Sequence, residues 1–80
     1  MRHHYRRMSA AELSAALDQL DLSARQFARV SGAQPKRVID WLEGREDIAP
    51  YVPVMLALMT LPGGIALARA CAETYIDDSS

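Results

Sequence analysis

The chain has 80 residues, half of them hydrophobic but only 6% aromatic, a formal net charge of −1, one cysteine and two histidines. That length makes one domain and leaves no room for two. Cys71 cannot close an internal disulfide, no zinc spacing exists, and with both histidines in the first four residues no Ser–His–Asp set can be assembled, so an enzyme is the least favoured class.

The small net charge argues against a general nucleic-acid binder, but the charges are unevenly placed. Residues 1–45 carry eight Lys or Arg against five acids, a balance of +3; residues 46–80 carry Arg69 alone against five acids, a balance of −4. A basic half and an acidic half fit a polyanion reader with a separate protein-facing end. No apolar segment follows the Arg and His of the amino-terminal stretch, and the longest apolar run, about 52–61, is too short to span a membrane. No membrane partner and no cofactor are expected, and the lack of cysteine pairing favours a reducing, cytoplasmic setting.

Residues 1–8 are basic and lack helical periodicity. The first helix is expected over residues 9–20. Ser9 and Glu12 make an S-x-x-E capping box, and Leu13, Ala16, Leu17 and Leu20 recur at spacings of three and four. Glu12, Asp18 and Asp21 read as a cap and solvated faces, and Asp21 and Leu22 form a short link.

Residues 23–44, SARQFARVSGAQPKRVIDWLEG, read as two short helices around a glycine turn. Ser23 and Gln26 repeat the capping-box pattern, with Phe27, Ala28 and Val30 as the apolar stripe. Ser31-Gly32-Ala33 breaks the helix, since Gly32 tolerates a left-handed turn without steric cost. Pro35 suits the first position of a second helix, where its missing N–H costs nothing. Val38, Trp41 and Leu42 mark that helix's inward face over residues 35–43, and Gly44 ends it. This is a helix-turn-helix pattern.

A loop is expected over residues 44–50, with Ile48 tucked into the core and Glu46 and Asp47 in solvent. Helix four, about 52–61, is apolar nearly all round through Val54, Met55, Leu58, Met59 and Leu61, so cover on more than one side is expected. Pro62-Gly63-Gly64 is a strong break. The last helix, 65–76, has Ile65, Ala68, Ala72 and Ile76 on one stripe with Leu67, Cys71 and Tyr75 beside it. It reads either as a dimerisation element or as the completion of the monomer's core.

Phe27-Ala28, Gly32, Pro35, Val38, Trp41 and Gly44 together resemble the Xre/lambda-Cro type of helix-turn-helix DNA-binding domain, over roughly residues 9–61. One departure is Gln34, where that family usually opens its recognition helix with Ser, Thr or Asp. The resemblance implies an all-α, lambda repressor-like bundle of about five helices: a basic tail (1–8), the DNA-binding domain (9–61), and a carboxy-terminal helix and tail (62–80) as a candidate dimerisation element.

It also implies double-stranded DNA as partner. The helix opening at Ser23 would lie across the backbone, making Ser23, Arg25 and Gln26 candidate phosphate contacts, with Arg45 after the second helix. Gln34, Lys36, Arg37 and Asp40, on the outward side, become candidate base contacts: Lys36 to guanine, Gln34 to adenine, Asp40 to cytosine, and Arg37 to guanine or phosphate. Against this, Lys36 and Asp40 also read as an ordinary i,i+4 ion pair. The tail reads as a phosphate or minor-groove arm, or simply as a disordered end. The expected function is a sequence-specific transcriptional regulator, a repressor acting as a homodimer on an inverted-repeat operator. The alternative is a protein-interaction module, such as an antitoxin or anti-activator, on the same fold.

Overall fold

The structure, a computed structural model, describes residues 6–75. Among the described residues five helices follow one another: α1 (Ala10–Gln19), α2 (Ala24–Ser31), α3 (Pro35–Leu42), α4 (Tyr51–Met59) and α5 (Gly64–Tyr75). No strand occurs among the described residues, so the fold is an all-α bundle with a helix-turn-helix pair at its centre. Residues 1–5 of the basic tail and Ile76 of the last stripe lie outside the described residues.

The first two helices start where their caps dictate. Ser9 accepts from the Glu12 N–H at 3.1 Å, and Glu12 accepts from the Ser9 N–H at 2.9 Å. Ser23 and Gln26 repeat this at 3.1 and 2.8 Å. Two otherwise orphaned donors are satisfied at each start, for about 1 kcal/mol per cap. Between them, Asp21 takes a positive φ of 57°, which Asp tolerates better than most residues, and this turn drops Leu22 into the core. Gly32 closes α2 at φ 79°, its N–H donating to the Ala28 carbonyl. A Cβ in that left-handed conformation would be strained, which is why glycine stands at the corner.

The central core is drawn from α1 to α4 and the loops between them. Trp41, Phe27, Leu13, Val38 and Val52 are fully enclosed, joined by Leu17, Leu22, Ala28, Val30, Ile48, Leu56 and Met59. Each large aliphatic side chain contributes about 1.5–3 kcal/mol on burial. Packing of α2 and α1 on α3 holds the central pair, and α5 crosses both α2 and α4. Ile65, Ala68 and Ala72 put α5's inner edge on the bundle, while Leu67, Cys71 and Tyr75 on its other side stay exposed. The last helix therefore completes the core with one edge and leaves a second, apolar edge open.

Helix four corrects two expectations. It runs Tyr51–Met59 rather than about 52–61: Pro50 is its N-cap, and Pro53 falls in the first turn, where a missing N–H breaks no intrahelical hydrogen bond. Nor is it covered on more than one side within the chain: Val52, Leu56 and Met59 are buried, whereas Val54, Leu58 and Leu61 are each 58–60% exposed. Five helices of this length supply only one layer against α4. Leu58 and Leu61, with Met55, Leu67 and Ala68, line an apolar groove of about 340 Å³ between α4 and α5. No helix among the described residues is long and apolar enough to cross a membrane.

Candidate nucleic-acid interface

The face in question is the outward side of α3, the loop that follows it, and the start of α2. Val38 and Trp41 anchor α3 by its inner edge at zero exposure, with Leu42 half-buried beside them. Trp41 meets Tyr51 edge-on, ring centres 6.3 Å apart, and the Arg37 guanidinium lies 5.5 Å from the Trp41 ring centre. Trp41 Nε1 is enclosed without a hydrogen-bond partner, so this anchor is held by apolar packing rather than by its polar atom. Anchoring one edge this firmly leaves the opposite edge rigid and presented to solvent.

Gln34 is the N-cap of α3 and makes no side-chain capping bond; its amide is exposed. Lys36 Nζ donates to Asp40 Oδ2 at 3.1 Å, and Arg45 Nη1 donates to Asp40 Oδ1 at 3.3 Å. Arg45 also pairs with Glu43 through Nη2. These four residues form one chain of alternating charge along the outer edge, with Asp40 at its centre. The Asp40 side chain is only 14% exposed, against 84% for Lys36, so the acid is tucked beneath the two bases.

Arg37 is turned aside, its Nε donating to Glu46 at 2.8 Å. Arg7, from the basic tail, is bonded to Asp47 in the same loop. Glu46 and Asp47 are exposed, as expected, and each also pairs with a base. Arg6 is bidentate with Glu12 at 3.0 and 2.8 Å, which draws the Glu12 carboxyl down to about 2 and raises Arg6 above its ordinary value. The Ser9 N–H bond to Glu12 acts in the same direction.

Ser23 and Gln26 are exposed at the start of α2 and engaged with each other through the capping box, which leaves the Ser23 hydroxyl hydrogen and the Gln26 amide hydrogens as outward donors. Arg25 stands exposed on the same turn. The fold thus links Lys36, Asp40 and Arg45 directly, sets Arg37 to one side, and ties the Ser23–Arg25–Gln26 group to them through the packing of α2 on α3.

Sequence reasoning passed over Ile39. It is 43% exposed, three residues after Lys36 and four before Glu43, which places it on the outer strip of α3. The helical spacing held that signal, but Ile39's apolar character draws attention to the core.

No family model, curated protein or solved structure matches the chain. Among the described residues no group of three or more His, Cys, Asp or Glu is arranged to hold a metal ion.

Proposed function

We propose that the chain is a sequence-specific DNA-binding transcriptional regulator, a cytoplasmic repressor that acts as a homodimer on an inverted-repeat operator. One observation carries the reading. A short helix of eight residues is fixed by Val38 and Trp41 on its inner edge while Gln34, Lys36, Ile39 and Asp40 stand on its outer side, directly after a glycine corner from α2. An α-helix so presented fits the width of a DNA major groove, where its first turns meet base edges. Ser23, Arg25 and Gln26 at the start of α2 offer donors and positive charge to the flanking phosphates, and Arg45 extends them past the end of α3. The resemblance to Xre-type regulators points the same way.

The homodimer rests on the open edge of α4 and α5. Val54, Leu58, Leu61 and Leu67 stand exposed there, and residues 48–68 contain no charged side chain. Two copies joined through such a surface would present two α3 helices to half-sites about 10 bp apart, or a multiple of one turn, and a dimer seated over a promoter blocks polymerase.

A second reading, a protein-interaction module such as an antitoxin or anti-activator, is favoured by the compensation of Lys36, Arg37 and Arg45 by Asp40, Glu43 and Glu46. Selection of duplexes from a random pool, followed by binding titrations from 50 to 200 mM salt, separates the two. Recovery of one palindromic sequence bound with steep salt dependence supports the regulator. Absence of binding at low salt supports the interaction module.

A further inference from the structure

Along the outer edge of α3 and just past its end, charged side chains are already paired with opposite charges. Lys36, Asp40, Arg45 and Glu43 are joined end to end by ion pairs. Ile39 stands beside that edge, 43% exposed, where a charged or amide side chain would be the ordinary choice for a solvated helix face. Its Cβ branching restricts χ1 on a helix, so its methyl groups hold one direction instead of sweeping through solvent. A rigid apolar knob among paired charges has no use for a phosphate or a base hydrogen bond. The major groove holds one apolar group, the C5-methyl of thymine.

From this juxtaposition we propose that Ile39 is a specificity-determining residue that packs on a thymine methyl in each half-site. The inference rests on the DNA-binding reading and adds to it the chemistry of one base position. Lys36 and Arg45 are both engaged by Asp40, while 43% of Ile39 remains exposed.

The test uses the full chain and the duplex it selects from a random pool. Each thymine is replaced singly by deoxyuridine, which removes the methyl and leaves every hydrogen-bonding group in place. Binding should fall about fourfold at one position per half-site, the worth of one methyl-sized apolar group, and be unchanged elsewhere. In Ile39→Ala the penalty at that position should vanish, because thymine and uracil then look alike to the protein. Ile39→Val, which keeps the branch, should retain most of the penalty. Circular dichroism checks that each variant is folded. Equal binding of wild type to every deoxyuridine duplex overturns the inference while leaving DNA recognition intact. So does a penalty that persists undiminished in Ile39→Ala. A chain that selects no duplex overturns the DNA-binding reading and this inference with it.

Discussion

Asp40 is the position where one substitution separates electrostatics from packing. Asp40→Asn keeps the shape of the side chain and removes one negative charge from between Lys36 and Arg45, 3.1 and 3.3 Å away. The cost to the fold is small. Pairs with long, exposed bases contribute about 0–1 kcal/mol, and asparagine still accepts a hydrogen bond from Lys36. On the proposed DNA-binding reading the effect on DNA should be larger, because both bases lose a competing carboxylate. If each then neutralises one phosphate, the slope of log K against log salt steepens by about 0.9 for each, or roughly 1.8 per subunit. Between 50 and 200 mM salt that adds about a tenfold spread in affinity. Matched and scrambled duplexes should both bind more tightly at low salt. Fluorescence anisotropy over a salt series reads both quantities. Lines parallel to wild type, or weaker binding to all sequences, would refute the view that Asp40 restrains the two bases.

Four further outcomes are expected. Lys36→Ala should lose about 1–3 kcal/mol of discrimination at one base position, whereas Arg45→Ala should weaken matched and scrambled duplexes alike and flatten the salt slope; identical behaviour of the two in parallel titrations would reject their separate roles. Folding lowers the Glu12 carboxyl from 4.5 to about 2, so its contribution is complete above pH 4.5 and is lost as the pH falls toward 2. Urea midpoints of wild type should therefore drop faster than those of Glu12→Gln across that window, and parallel curves would contradict the Arg6–Glu12 assignment. A Cβ at Gly64 would lie 2.4 Å from the Leu58 carbonyl oxygen and 3.0 Å from Met59 Cα. Gly64→Ala should cost about 1–3 kcal/mol, lowering the melting temperature by roughly 5–20 °C, and an unchanged thermal melt would show that the α4–α5 corner has room for a methyl group. Leu58→Glu, on the open groove, should leave the fold intact and convert a dimer to a monomer in sedimentation; a persisting dimer would place the interface elsewhere.

The helix-turn-helix was readable because its signals are local. Ser23 with Gln26, Gly32 and Pro35 each act within one turn of backbone, and the inward spacing of Phe27, Val38 and Trp41 needs only helical periodicity. The same locality foresaw the Lys36–Asp40 pair, four residues apart. Sequence reasoning failed where an edge had to be assigned by default. An apolar residue such as Ile39 is ordinarily assigned inward, and an all-apolar helix such as α4 is ordinarily assigned full cover, yet here Ile39 and one side of α4 are exposed.

Helix starts, the glycine corner and the inner stripes belong to the amino-acid sequence alone, since capping and periodicity operate between residues at most four or five apart. Tertiary packing decided the rest: that Asp47 lies beside Arg7, forty residues upstream, that Glu46 draws Arg37 aside, and that α5 covers one flank of α4 and leaves Leu58 and Leu61 open. Which charge meets which, and which apolar edge stays unpaired, depends on how whole helices dock. Docking is set by the summed shape of buried side chains distant in sequence, and no local pattern carries that sum.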